Sequence, residues 1–221
     1  MLIMLPGMDG TGELFAPFLK ELPANIPFQV IPLHAQLNYL QQVVHIADEI
    51  GEKEVILLVE SYSGMLGYLL CQNGALKIKH VIFVASFLRC SSQLARLANY
   101  LPLGLVKKRL LPDRFIGPLL FHHWTPELVS LLYRALGMVE VSTINIRLNE
   151  VAQLSPPTLK VSIPCTVMSA KHDCLVHAPI SDFESVFSIV HHESIDGGHF
   201  LLQSNPKQCW EVIYQVIETH L

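Results

Sequence analysis

The chain has 221 residues, of which 51% are hydrophobic and 15% charged, and its formal net charge is −4. This length and composition predict one sizeable α/β domain with a large buried core and argue against a disordered chain. The acidic balance argues against nucleic acid as the main partner, and the longest apolar stretches fall short of the ~20 residues that span a bilayer.

Strand-like apolar runs alternate with helical patterns in residues 1–87. Leu2–Leu5 is predicted to be a strand, followed by a glycine-rich turn and a helix over Leu14–Leu22. Phe28–Ile31 and Val55–Val59 are the next predicted strands, and the second has no polar residue, as expected for a strand covered on both faces. The remaining elements of this region are a helix over Leu37–Ile50, a helix over Met65–Leu70 and a strand over Val81–Ala85.

The segment of residues 88–159 breaks this alternation. It is rich in leucine, shows no clear strand and contains helix breakers such as Pro102, Pro112 and Pro126. Short helices inserted between two strands of one sheet would lie over the carboxyl ends of the strands. We therefore expect a helical cap formed by residues 88–159, inserted into a core formed by residues 1–87 and 160–221.

The alternation resumes after the cap, with strands predicted at Cys165–Ala170 and Ile189–Ile195 and helices near Ser181–Phe187 and Asn205–Ile217. Strict alternation of strands and helices implies right-handed crossovers and a parallel sheet with helices on both faces. The predicted fold is therefore α/β, with a doubly wound, mainly parallel sheet of six strands and an inserted helical cap.

A serine framed by small residues follows the third predicted strand, where Glu60–Gly64 reads Glu-Ser-Tyr-Ser-Gly. A serine between a strand end and a helix start lies on a sharp, strained turn that projects its hydroxyl over the sheet edge, as in a nucleophile elbow. If Ser61 is the nucleophile, Val59 breaks the small-residue rule; if Ser63 is, Met65 breaks it. We favour Ser61 because it lies nearer the strand end. Taken alone, both serines could equally be helix caps.

Two further residues with suitable chemistry follow predicted strands. Asp173 comes after the fifth strand and His199 after the sixth, preceded by two glycines that free the backbone. Open parallel sheets bind ligands at the carboxyl ends of their strands, where the strand order reverses. Asp196 is the main rival acid, but it lies in the same loop as His199. The order Ser61, Asp173, His199 therefore predicts a nucleophile, an acid and a base that meet at one sheet edge.

Over nearly its whole length the chain resembles the α/β-hydrolase superfamily. Leu5–Gly12 resembles the oxyanion loop of that superfamily, with Pro6 in place of the usual histidine. Glu60–Gly64 resembles its elbow, and Gly197–Leu201 resembles its histidine loop. The superfamily normally has two further strands at the N-terminus, so the resemblance implies the strand order 2-1-3-4-5-6 in this chain.

The resemblance also implies a role for each residue in a Ser-His-Asp mechanism. Ser61 would be the nucleophile, His199 its base, and Asp173 the residue that orients and stabilises the imidazolium. The backbone N–H groups of Met8 and Tyr62 would form the oxyanion hole. No cofactor is implied.

Basic residues are concentrated in the predicted cap and give the only indication of the substrate. Interleaved leucines would supply an apolar channel for an acyl chain, and a basic rim would suit an anionic far end such as acyl carrier protein. This combination is similar to the pimeloyl-acyl-carrier-protein methyl ester esterases of biotin synthesis. Alternatively, the charges solvate amphipathic helices, or the cap docks on anionic membranes. These residues are Arg89, Arg96, Lys107, Lys108, Arg109 and Arg114.

Several classes of activity are compatible with the same residues. We expect a carboxylic ester hydrolase, with a thioesterase, a lipase-like esterase and an acyltransferase or perhydrolase as the alternatives. A non-catalytic binding protein on this fold would usually lack one member of the Ser-His-Asp set.

The cysteines, histidines and N-terminus give expectations about location and metals. Five widely spaced cysteines without a Cys-x-x-Cys motif, and an N-terminus that does not resemble a signal peptide, favour a cytoplasmic protein with reduced thiols. The pairs His122-His123 and His191-His192 lack the spacing of a zinc site, so we expect no metal.

Overall fold

The computed structural model describes residues 1–90 and 112–220. Its strands are β1 (Leu2–Leu5), β2 (Phe28–Val30), β3 (Glu54–Glu60), β4 (Lys77–Val84), β5 (Cys165–Ala170) and β6 (Val190–Ile195). They form one parallel sheet in the order β2-β1-β3-β4-β5-β6. The predicted doubly wound sheet and its strand order are therefore confirmed. Strand order reverses around β1 and β3, where Leu5, the last residue of β1, pairs with Val59, the second-last residue of β3.

The connections between strands are helical. The helices are α1 (Ala16–Leu19), α2 (Tyr39–Ile50), α3 (Gly64–Cys71), α4 (Asp113–Phe121), α5 (Pro126–Gly137), α6 (Val141–Ala152), α7 (Ile180–Glu184), α8 (Leu201–Ser204) and α9 (Pro206–His220). Helix α2 begins at a capping box, in which the side chains of Asn38 and Gln41 each accept a hydrogen bond from the backbone N–H of the other residue.

Two elements differ from their predicted extent. The helix expected over Leu14–Leu22 is a 3₁₀ turn followed by the four-residue α1. Pro17 lies in the first turn of α1 and has no N–H to donate, so a continuous helix through it would lack one hydrogen bond. Strand β4 begins at Lys77 rather than at Val81, because exposed lysines alternate there with the buried Ile78 and His80, as in a strand covered on one face.

The central strands β1 and β3 are buried on both faces, as is typical of parallel sheets, while most residues of the edge strands β2 and β6 are at least partly exposed. Alternate residues of β1 point to opposite sides: Ile3 packs in the core beneath α2 and α3, and Met4 in the core beneath α1 and α9. Burial on both sides explains why these strands read as continuous apolar runs without polar alternation.

Helices α4, α5 and α6 lie between β4 and β5 in the chain, within the segment expected to form a cap. The boundaries of the cap at residues 88 and 159 stay a prediction. Among the helices of residues 1–90 and 112–220, none combines the length and the apolar character needed to cross a membrane. The cytoplasmic location also stays a prediction.

Candidate active site

Ser61 lies on a strained turn between β3 and α3. Its φ is 51°, in the left-handed region that residues other than glycine rarely adopt. Its carbonyl oxygen accepts a hydrogen bond of 2.7 Å from the Ser86 hydroxyl, which follows β4. A Cβ atom at Gly64 would overlap Ser86 Oγ, so the small residue there allows this close approach.

The departure at Val59 from the usual small residue is accommodated from the other side of the turn. A Cβ atom placed on Gly67, in α3, would lie 2.9 Å from Val59 Cγ1 and 3.0 Å from Val59 Cγ2. Because Gly67 has no side chain, the helix can pack closely on the bulkier strand residue. Gly67 on the helix therefore permits the close packing of helix on strand that a small residue at position 59 would otherwise permit.

Ser61, His199 and Asp173 form one hydrogen-bonded chain. Ser61 Oγ lies 2.9 Å from His199 Nε2, and His199 Nδ1 lies 2.8 Å from Asp173 Oδ2. The side chains of His199 and Asp173 are only 6% and 8% exposed. The three residues predicted from separate strand ends are thus in contact, although 138 residues separate the serine from the histidine.

The acid and the histidine are each held by backbone contacts. Asp173 Oδ1 accepts hydrogen bonds of 2.8 Å from the N–H groups of Leu175 and Val176, which leaves Oδ2 for the imidazole. On the other side, the N–H of Gly198 donates to Phe121 O at 3.1 Å, which ties the histidine loop to the end of α4. Both partners of the imidazole–carboxylate pair are therefore fixed before any substrate binds.

The pair is electrostatically coupled. Burial by itself would lower the pKa of His199, but the Asp173 carboxylate, its hydrogen bond and Glu60 outweigh this effect and raise it. Burial would likewise raise the pKa of Asp173, but His199 and the two N–H donors hold it below its ordinary value. This arrangement favours an ionised carboxylate that stabilises a proton on the imidazole.

The two residues predicted to supply oxyanion donors are anchored by α6. The buried Arg147 guanidinium donates to Met8 O at 2.7 Å, and its Cζ lies 5.8 Å from the ring centroid of Tyr62. The Tyr62 hydroxyl donates to Glu150 Oε2 at 2.6 Å, and its ring stacks on Tyr39 at 4.6 Å between centroids. The inserted helix therefore fixes the backbone around Met8 and the side chain of Tyr62.

The predicted oxyanion loop itself lies against the elbow. An ideal Cβ at Gly7 would lie 3.6 Å from Ser61 Cβ, so the loop passes the serine at van der Waals distance. This contact follows from the pairing of β1 with β3, which places the residues after both strands side by side. The assignment of the Met8 and Tyr62 amides as oxyanion donors stays a proposal.

Glu60, directly before Ser61, is a buried carboxyl that sequence reasoning did not single out. Burial raises its pKa to about 7, with a further rise from Asp9, against the lowering effect of the 2.9 Å hydrogen bond from Gln203 Nε2. The sequence does carry a signal for it, because Glu60 directly follows the apolar run Val55–Val59. An ionisable side chain at the end of a strand covered on both faces is expected to be buried. Arg147 and Glu150 had no such local signal.

Glu60 should make stability depend on pH. Between pH 4.5, the ordinary pKa, and about pH 7, the unfolded chain loses this proton while the folded chain keeps it. The free energy of unfolding of the wild type should therefore fall with rising pH in this window. Glu60→Gln lacks this proton. Relative to wild type, its free energy of unfolding should therefore rise by about 3 kcal/mol between pH 4.5 and about pH 7. Denaturant unfolding at several pH values measures the difference.

The matched control is Glu193→Gln, because Glu193 is exposed on β6. The pH-dependent gain of about 3 kcal/mol expected for Glu60→Gln comes from burial, so it should be absent when this exposed carboxyl is replaced. A difference between Glu60→Gln and wild type that stays constant from pH 4.5 to 7.5 would contradict the assignment of a raised pKa to Glu60.

The structure places the remaining predicted residues away from this hydrogen-bonded chain. The Ser63 hydroxyl is fully buried and donates to Pro6 O, and Asp196 bonds to His123 and His172 rather than to His199. These contacts favour Ser61 rather than Ser63 as the nucleophile, and Asp173 rather than Asp196 as the acid.

Of the basic residues predicted to bind a substrate or partner, the structure describes two. Arg89 Nε lies 2.7 Å from Asp182 Oδ2, so its charge is already matched by an acid, while Arg114 is exposed beside the ring of Phe115. Arg96, Lys107, Lys108 and Arg109 lie outside the described residues.

No protein-family model and no curated protein sequence matches the chain. Solved structures do match over nearly its whole length. An esterase from Exiguobacterium antarcticum is 13% identical, with a TM-score of 0.76 over 98% of this chain and 91% of that one. The enol-lactonase from Burkholderia xenovorans LB400 is 13% identical, with a TM-score of 0.73 over 98% and 90%.

A third similar structure is the N-formylmaleamic acid deformylase from Pseudomonas putida S16, which is 12% identical, with a TM-score of 0.72 over 96% of this chain and 90% of that one. At such low identity these likenesses establish the architecture alone. Together with the strand order and the turn that follows β3, they show that the chain has the α/β-hydrolase fold.

Proposed function

We propose that this protein is a serine hydrolase that cleaves carboxylic esters through an acyl-enzyme on Ser61. The supporting observation is the hydrogen-bonded chain from Ser61 Oγ through His199 to Asp173, which starts from a residue in a strained backbone conformation. Strain of this kind is stored at functional sites more often than elsewhere. The fold shared with an esterase is consistent with the proposal.

In this mechanism Ser61 Oγ attacks the ester carbonyl while His199 Nε2 takes the hydroxyl proton. Asp173 accepts the Nδ1–H hydrogen bond, keeps the imidazole in the required tautomer and stabilises the imidazolium. The tetrahedral intermediate collapses, its C–O bond to the alcohol breaks, and the imidazolium gives its proton to the departing alcohol. Water then attacks the acyl-serine with the same histidine as base, which releases the carboxylic acid and restores Ser61.

The negative charge on the carbonyl oxygen needs donors in both tetrahedral steps. The amides of Met8 and Tyr62 are the proposed donors, and removal of one such donor in comparable enzymes costs about 3–4 kcal/mol of barrier. The contacts of Arg147 with Met8 O and of Glu150 with the Tyr62 hydroxyl make these residues positioning residues in the proposal. Arg147 holds the backbone at Met8 and Glu150 holds the side chain of Tyr62, and neither touches the substrate.

For the substrate, we propose an acyl ester presented on an acidic acyl carrier protein, such as its pimeloyl methyl ester. The support is the concentration of basic residues between Arg89 and Arg114 in an acidic chain, and the exposure of Arg114. The ion pair of Arg89 with Asp182 reduces its part in such a surface. A thioesterase, a lipase-like esterase and an acyltransferase or perhydrolase use the same residues and are separated from the proposal by their products.

The proposal is tested by a panel of p-nitrophenyl esters of graded chain length, run beside acyl thioesters and methyl pimeloyl-carrier protein. We expect hydrolysis of the esters to free acid and alcohol, and a kcat/KM for the carrier-linked ester that falls as salt is added. Turnover of thioesters alone would reassign the protein as a thioesterase. A carrier-linked ester that reacts no faster than a small ester, at any salt concentration, would remove the carrier.

A further inference from the structure

A second group of titratable side chains lies beside the active site and has no part in the proposed acyl transfer. This histidine cluster consists of His122, His123, His172 and Asp196. Asp196 Oδ1 lies 3.1 Å from His172 Nε2, and Asp196 Oδ2 lies 2.8 Å from His123 Nε2. The rings of His122 and His172 stack with centroids 3.8 Å apart. One ligand atom each from His122, His172 and Asp196 lie within 4.8 Å of one another.

Backbone geometry from separate elements builds the cluster. His122 directly follows α4 with φ 61° and ψ −69°, and the N–H of His123 donates to Phe121 O at 2.8 Å. Together these define a strained γ-turn. His172 follows β5, and its N–H donates to Gly197 O at 3.0 Å. Asp196 follows β6, and its carbonyl accepts from Asn205 Nδ2 at 2.9 Å. Backbone hydrogen bonds therefore fix each of the three segments that carry the cluster.

The geometry points to a metal site: we propose that His122, His172 and Asp196 bind a divalent transition-metal ion of the zinc class. Imidazole nitrogen and carboxylate oxygen are ligands that zinc prefers, and three protein ligands leave a position for water. With metal–ligand bonds of about 2.0–2.1 Å, tetrahedral donors lie roughly 3.3 Å apart. The 3.1 Å pair of His172 and Asp196 is already near that spacing. The rings of His122 and His172 are stacked at an interplanar angle of 12°, so one ring must turn out of the stack before both nitrogens face a single ion. Both side chains are solvent-accessible, which leaves room for that rotation.

His123 completes the site from outside. It bonds to Asp196 Oδ2, the carboxylate oxygen that does not face His172, and so can orient the ligand carboxylate as outer partners of metal ligands commonly do. Sequence spacing did not reveal this site, because 24 residues separate His172 from Asp196. The adjacent histidines also have different roles: His122 is a proposed ligand, and His123 bonds to the ligand Asp196. Among the described residues, it is the group of three that meets the distance requirement for a metal.

The ion would tie together the two loops that carry the proposed acid and base. His172 directly precedes Asp173, and Asp196 lies three residues before His199. Binding to the folded state should raise the melting temperature, because the unfolded chain cannot hold the ligands at this spacing. The site does not depend on Ser61, so it stands or fails separately from the proposed hydrolysis.

The test is calorimetric titration of Zn²⁺ into the metal-free full chain without an affinity tag, with melting temperatures measured in parallel. We expect one ion per chain with a micromolar or tighter Kd, and a rise in melting temperature. His172→Gln, Asp196→Asn and His122→Gln should each weaken binding at least tenfold and remove the rise. His191→Gln, an exposed histidine outside the cluster, is the matched control and should bind as wild type does.

Three variants from separate elements keep the test decisive if one of them fails to fold. The proposal is wrong if wild type shows no saturable binding, or if the cluster variants that fold bind Zn²⁺ as wild type does. It is equally wrong if His191→Gln loses as much affinity as they do, since binding would then be a general property of surface histidines. Ser61→Ala should retain full Zn²⁺ affinity, which separates this result from any failure of the proposed hydrolysis.

Discussion

Ser61→Ala should lower kcat for ester hydrolysis by about 10⁵–10⁶-fold, the range seen when the nucleophile of a comparable triad is removed. The variant lacks the hydroxyl that lies 2.9 Å from His199 Nε2, so no acyl-enzyme can form. Alanine is strained by the left-handed φ of 51° about as much as serine is, so the fold should be retained. Steady-state kinetics on the best p-nitrophenyl ester, with circular dichroism as the check on folding, measure the effect.

Ser63→Ala is the matched control. The Ser63 hydroxyl is buried and donates to Pro6 O, so its loss should lower the free energy of unfolding by about 1 kcal/mol but reduce kcat by less than tenfold. If Ser63→Ala were inactive while Ser61→Ala kept its turnover, the nucleophile would be Ser63 and the proposed register would be wrong.

Asp173→Asn should lower kcat by about 10⁴-fold while leaving substrate binding nearly intact. The amide removes the negative charge that lies 2.8 Å from His199 Nδ1, so the imidazole loses its required tautomer and the stabilisation of its protonated form. Because Asp173 keeps two N–H donors on its other oxygen, an isosteric amide can occupy the same place.

The pH profile gives this prediction a second readout. His199 acts only when neutral, and its pKa is raised by Asp173 against the effect of burial, so kcat/KM of the wild type should fall as the pH drops through that raised value. In Asp173→Asn the pKa of His199 should fall, which moves the acidic limb of the profile to lower pH. A limb at the same pH in both proteins would show that another group controls it.

Asp196→Asn is the informative comparison, because Asp196 is the other acid in reach of the histidine loop. Its carboxylate bonds to His123 and His172, so in the presence of a chelator the variant should lose less than tenfold in kcat. Loss of activity in Asp196→Asn comparable to that in Asp173→Asn would contradict the assignment of the acid.

The fold could be predicted from the sequence because the information was local. Apolar runs such as Val55–Val59 and the helical patterns between them gave the parallel sheet, and the chain order of the strand ends placed Ser61, Asp173 and His199 at one edge. The extent of single elements was less predictable. Pro17 shortened a helix, and the alternation before Val81 was too polar to read as a buried strand.

The surroundings of the site depend on contacts across the whole chain. Arg147 reaches Met8 across 139 residues and Glu150 reaches Tyr62 across 88, which no local pattern indicates. The departure at Val59 was visible in the sequence, but its accommodation by Gly67 became clear only when α3 was placed on β3. The basic surface of the predicted cap rests largely on residues outside the described part of the chain, so it remains a prediction.

The proposed mechanism is tested most directly by covalent labelling with a fluorophosphonate, followed by peptide mapping of the labelled residue. We predict one label per chain, on Ser61, with labelling that weakens below the raised pKa of His199 and is lost in Ser61→Ala. Label on Ser63 or on another residue, or an active wild-type enzyme that the reagent does not modify, would contradict it.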